Sequence, residues 1–127
     1  MTVIKAETSY PKFFEKFAQF LCVELDIRPA KVTIVPYEMN DGTLGLCLDV
    51  TEDEFLVFVK EKDRDIGCMC TTIAHEMIHV KQFLKDNLNH WIHTCWDTPY
   101  HKRWWEVEAY ADSIPLVEKF AKTLKKD

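Results

Sequence analysis

The sequence predicts an α+β fold. Three observations carry that reading: helical spacing of apolar residues near both ends, two-residue alternation through the middle, and strong turn signals between the alternating runs. The first helix is expected over 10–25, where Phe13, Phe14, Phe17, Ala18, Phe20, Leu21 and Leu25 share one side. Ser9 reads as its cap and Pro11 suits its first turn, where no backbone N–H is needed. Pro29 interrupts the pattern within 26–30. Residues 31–37 alternate around Val32, Ile34 and Tyr37 and predict a strand. Asn40-Asp41-Gly42 is a turn signal. Residues 43–50 predict a second strand, with Leu44, Leu46 and Leu48 on one face. Thr51-Glu52-Asp53 turns the chain into a third strand over 54–60. There Phe55, Val57 and Val59 oppose Leu56 and Phe58, so cover on both faces is expected.

A charged loop follows over 61–67, then a helix over 68–88. Residues 87–100 are aromatic, rich in histidine and irregular, with Pro99 near their end. A last helix is expected over 101–124. Pro115 should kink or split it, because proline lacks the backbone donor and clashes one turn back. The lysines within 122–126 suit a helix C-terminus. The order is helix, three strands, helix, loop, helix, with no repeat or linker, so 1–127 reads as a single domain.

Composition excludes several classes. Three Gly and five Pro argue against collagen-like or disordered chains. A net charge of −5 disfavours a general nucleic-acid or membrane-surface role. The start, Met1 to Glu7, has no apolar run behind a basic segment, so a cytoplasmic protein is expected. Five cysteines, an odd number, fit free thiols better than a disulfide framework. Cys68 and Cys70 read as two buried small residues leading into a helix.

One motif carries chemistry: His75-Glu76-Met77-Ile78-His79. Residues four apart lie one turn apart on a helix face, so two imidazoles can grip one divalent ion there. Glu76, next to the first imidazole, can reach a water at that ion. Ile73, Met77, Val80 and Leu84 form an apolar seam, and His75 lies on the side away from it. The histidines are therefore expected to face a cleft.

A catalytic zinc site normally has three protein ligands and an open position. The long form HExxHxxGxxH fails, since Gln82 and Lys85 stand where its glycine and third histidine belong. The remaining candidates are His90, His93 and His101 from the loop region, and Glu106 and Glu108 from the last helix. The Cys/His-bearing segment 90–97 matches no standard zinc knuckle; it reads as a loop over the cleft whose Trp91 and Trp96 pack on the core or touch substrate.

HExxH followed by Glu108-Ala109-Tyr110-Ala111-Asp112, an ExxAD pattern, resembles the gluzincin branch of the zinc metallopeptidases. Small phage and bacterial metallopeptidase-like proteins of this size look similar. The resemblance covers about residues 68–113, plus a loose match of element order upstream. It implies a minimal zincin-like core and a Zn2+ ion held by His75, His79 and Glu108. It implies that Asp112 accepts from a ligand histidine's other nitrogen, while small Ala111 lets the two helices approach. Glu106, in its own ExxA pattern with Ala109, and a loop histidine stay open as third ligands.

The expected activity is zinc-dependent hydrolysis of peptide bonds in a peptide or protein substrate, with Glu76 as general base. Tyr100, His101 and Tyr110 are candidate oxyanion donors. Two alternatives stay open: a zincin fold that holds metal with little turnover, and a metal-free interaction domain. An intact Glu76 favours the enzyme, since a binding module has no need of a base.

Overall fold

A computed structural model describes residues 1–38 and 40–125. Among these residues, four strands and four α-helices follow in the order β1 (Val3–Ala6), α1 (Pro11–Glu24), β2 (Lys31–Pro36), β3 (Gly45–Asp49), β4 (Glu54–Val59), α2 (Ile66–Lys85), α3 (Leu88–Thr94) and α4 (Trp104–Leu124). A single 3-10 turn, Tyr100–Lys102, precedes α4. The α+β class agrees with the sequence reading. The sheet has four strands where three were expected, in the order β1-β2-β4-β3. The added strand is β1, four residues long and too short to show a period. It is held by parallel pairing, Val3 opposite Lys31 through Ala6 opposite Ile34.

β2 and β4 are also parallel, and β3 runs antiparallel to β4 at the sheet edge. Val32, Ile34, Phe55, Val57 and Val59 point to one face and are buried beneath the helices. Leu46 and Leu48, opposite Phe58 and Leu56, point to the other. That face is only half covered: Leu44, Leu46 and Leu48 share it as expected but are exposed, while Leu56 and Phe58 are intermediate. Cover on both sides of β4 is therefore incomplete.

The helices follow the apolar spacing, with local corrections. Pro11 opens α1, but the cap position belongs to Tyr10 in a left-handed conformation (φ 53°) rather than to Ser9. The Ser9 N–H instead donates to Glu61 Oε1 at 2.8 Å. α2 starts where Asp65 caps it, accepting from the Cys68 N–H at 2.7 Å. Cys70 is buried but Cys68 is exposed, since residues two apart on a helix point about 200° apart. All five cysteines are free thiols. The loop region contains a short helix, α3, that its irregular pattern had hidden.

α4 runs unbroken through Pro115, so the expected split does not occur. Pro115 and Ala111, whose carbonyl loses its usual helical donor, are both exposed, and water can serve that carbonyl. Lys122 stands in the last turn of α4; Lys126 lies outside the described residues. No helix among the described residues is long and apolar enough to cross a membrane.

The site is set by how α2 is sandwiched. Ile73, Met77 and Val80 are fully buried in the core, as the seam predicts. On the opposite side α4 packs along α2, burying Trp105 and Ala109. The edge strand β3 borders the same side, and a cleft opens between β3, α2 and the start of α4.

Candidate metal centre

The cleft has a volume of about 660 Å3 and takes in His75, Glu76 and His79 from α2, Gly45 and Cys47 from β3, and Glu106 from α4. Its far end is apolar, with Phe83, Leu88 and Ile92. His75 and His79, one turn apart, bring their rings to a centroid distance of 4.9 Å at 82°. Both Nε2 atoms point at one oxygen: Glu106 Oε1 lies 2.9 Å from His75 Nε2 and 3.1 Å from His79 Nε2. The ligand atoms of His75, His79 and Glu106 all lie within 4.8 Å of one another.

This donor set suits a divalent ion. Atoms bonded to a zinc-sized ion at tetrahedral angles stand about 3.4 Å apart, only a few tenths beyond the two spacings seen here. The group could therefore hold a metal ion, with two imidazoles and one carboxylate as ligands.

The acid in the group is Glu106, not Glu108. Glu108 accepts from Lys81 Nζ at 3.2 and 3.3 Å and from Gln82 Nε2 at 2.8 Å. Helix geometry explains the exchange. Trp105 and Ala109, four apart, form the buried line of α4 against α2. Glu106 and Glu108 flank that line on opposite sides, about 200° apart, and meet different residues of α2. The other expectations tied to the ExxAD register fail with it. Asp112 is exposed, and His79 Nδ1 meets Gln82 Oε1 at 2.7 Å instead. Ala111 is exposed too, and Ala109 is the small residue at the helix contact.

His90, His93 and His101 are exposed and stand outside the group. Trp96 and Tyr100 border the cleft, whereas Trp91 stacks edge-on against Trp104. The Tyr110 ring lies 4.6 Å from the His75 ring. Of the candidate oxyanion donors, Tyr100 stands nearest the acid: burial, then contacts with Tyr110 and the Glu106 charge, push its phenol strongly upward, so it remains an O–H donor. No protein-family model, curated protein or solved structure matches the chain.

The electrostatics divide the carboxylates. Burial works to raise Glu106, but hydrogen bonds from His75 and His79 outweigh it and hold the acid well below its ordinary range. Burial likewise opposes the charged form of His79, and the contact with Glu106 reverses this and raises its pKa. Glu76 lacks such compensation. It is 7% exposed, and burial lifts its pKa to about 7 against the smaller pull of His79 and His75. Burial, with Glu76 and Asp49 nearby, raises Cys47 well above the usual thiol range, so it stays protonated. Gln82, fully buried, is the residue of this site that spacing alone did not single out. A polar side chain three positions after His79 on the same helix was the available signal.

Proposed function

We propose that this protein is a zinc-dependent peptidase whose metal ligands are His75, His79 and Glu106 and whose general base is Glu76. One observation carries the reading: two imidazole nitrogens and a carboxylate oxygen converge within 4.8 Å on the wall of a cleft that also holds Glu76. A zinc ion bound there would polarise a carbonyl and lower the pKa of a bound water towards about 7.

The remaining roles belong to the chain. Glu76, with a pKa of about 7, is matched to taking a proton from the attacking water on a carboxylate oxygen and passing it to the leaving amine. Tyr100 offers its O–H to the developing oxyanion. β3 supplies the substrate contact. The Lys60 N–H donates to the Leu44 carbonyl and the Val50 N–H to the Glu54 carbonyl. By antiparallel alternation, Leu44, Leu46, Leu48 and Val50 turn their backbone groups to β4, while Gly45 and Cys47 turn theirs to the open edge above the cleft. An extended peptide pairing there gains main-chain bonds with little sequence selectivity.

The test uses zinc-loaded protein and a mixed library of fluorescence-quenched peptides. Wild type should cleave. Glu76→Gln should keep its zinc, read by elemental analysis, and lose at least about 100-fold in rate. Equal cleavage by that variant would overturn the mechanism. Wild type that holds zinc and cleaves nothing would favour a metal-holding module instead.

A further inference from the structure

We infer that Gln82, oriented by Glu108, holds the Nδ1–H of His79 and so keeps the ring turned with Nε2 towards Glu106 and the cleft. The inference rests on the reading of His75, His79 and Glu106 as metal ligands, and it assigns a task to the carboxylate that does not join them.

The argument is one of hydrogen-bond accounting. The Gln82 side-chain nitrogen lies 2.9 Å from the Trp105 carbonyl oxygen and 2.8 Å from Glu108 Oε1. Both partners are acceptors only, so the amide hydrogens must point there. Turning the amide over would set its oxygen against a carbonyl and a carboxylate in a fully buried place, leaving acceptors unpaired. The amide oxygen therefore faces His79 Nδ1, at 2.7 Å. An amide oxygen cannot donate, so Nδ1 must carry the hydrogen. With Nδ1–H held by Gln82, the ring is turned so that Nε2 faces the cleft and donates to Glu106 Oε1 at 3.1 Å; a metal ion there would take the place of that Nε2 hydrogen while Nδ1–H stayed on Gln82.

Glu108 is itself pinned. Lys81 Nζ contacts both its oxygens, at 3.2 and 3.3 Å, and reaches Asp86 at 3.0 Å. The chain of contacts thus runs from Lys81 through Glu108 and Gln82 to His79, along the flank of the α2–α4 contact opposite Glu106. Gln82 and Glu108 are positioning residues: neither reaches the group of ligand atoms.

The experiment has two readouts. The first is the hydrogen on His79 Nδ1, read from long-range 15N–1H correlations before and after zinc is added. The second is zinc affinity by competition with a chromophoric chelator. Wild type should carry a hydrogen on Nδ1 in both states. Gln82→Met, close in volume but with no acceptor, should release that hold and weaken zinc binding by about 10–100-fold. Glu108→Gln, which can still accept from Gln82, should stay within about threefold of wild type. Glu108→Leu should fall between the two.

A wild-type ring without a hydrogen on Nδ1 would overturn the inference whether or not any variant folds. So would Gln82→Met with unchanged affinity and an unchanged Nδ1 hydrogen, or Glu108→Gln falling as far as Glu108→Leu. Wild type with a hydrogen on Nδ1 and no zinc binding would instead overturn the metal reading while the hold on the ring itself stood.

Discussion

The two walls of the cleft are built from different materials. The helix wall, α4 with the turn before it, is made of side chains: Glu106 on both histidines, the Tyr110 ring over His75, and Tyr100 beside the acid. The strand wall, β3, brings no formally charged side chain into the cleft; Gly45 and Cys47 offer a backbone edge and a close, dry surface. Glu76 sits between them. The helix wall gives charge a partner, so Glu106 is held well below its ordinary range. The strand wall takes water away without supplying a donor, so Glu76 is pushed up to about 7. Two carboxylates in one cleft are thereby set for different work, one to stay ionised and one to exchange a proton near neutrality.

The largest effect should come from breaking the helix wall. Glu106→Ala removes the only acid that reaches both Nε2 atoms among the described residues. Its zinc affinity should fall by more than about 100-fold, beyond what loss of an outer partner usually costs. Competition with a chromophoric chelator measures this, and Glu108→Gln, on the same helix, is the control. Equal affinity in Glu106→Ala and wild type would remove Glu106 from the ligand set.

The second prediction concerns how the strand wall loads Glu76. In metal-free protein its pKa is about 7, against 4.5 for the free group. Between these values the folded state binds more protons than the unfolded one, so stability falls as pH rises from about 4.5 to about 7. Glutamine does not titrate. The stability gap between Glu76→Gln and wild type should be near zero at pH 4 and grow to on the order of 3 kcal/mol in favour of the variant above pH 8. Glu106 has the opposite sign, its contribution being lost as pH falls, but it is present in both proteins and largely subtracts. Urea denaturation with chelator present, repeated across this range, measures the gap. A gap independent of pH would mean that Glu76 is not desolvated.

The contrast between the walls also explains what the sequence could reveal. The candidate metal group was legible by type: two histidines one turn apart on α2, and an acid from the helix wall. Choosing between Glu106 and Glu108 required knowing which line of α4 meets α2, and that depends on Trp105 and Ala109 being buried while Ala111 is not. Periodicity alone does not settle this for a helix with exposed Val107, Tyr110 and Ile114 on its other sides. Gln82 was hidden for a related reason, since its role comes from the Trp105 carbonyl and Glu108, both more than twenty residues away. At the strand wall the alternation of Leu44, Leu46 and Leu48 marked the strand and its common face. It could not mark the edge, because edge position depends on the order of pairing. β1 was missed because four residues held by one parallel neighbour, β2, carry no pattern of their own.

The smallest effect should come from filling the strand wall at Gly45. A Cβ there would meet Thr72 Cγ2 at 2.5 Å, Glu76 Oε2 at 3.0 Å and the Phe58 carbonyl oxygen at 3.0 Å. Two of these neighbours cannot simply yield: Thr72 is buried and half-stapled by the Arg64 guanidinium at 2.8 Å, and Phe58 is paired in the sheet. Glu76 meets it with the far end of a longer side chain, so the strain should be relieved by moving the proposed base. Gly45→Ala is expected to cost about 1–3 kcal/mol, the usual penalty for overpacking, and to lower the cleavage rate while zinc affinity stays near wild type, because the three atoms nearest the added Cβ belong to none of the proposed ligands. Denaturation, metal titration and the peptide assay on one preparation test all three parts. Loss of zinc together with loss of rate would mean that β3 supports the ligands as well as the base, and that the two walls are not independent.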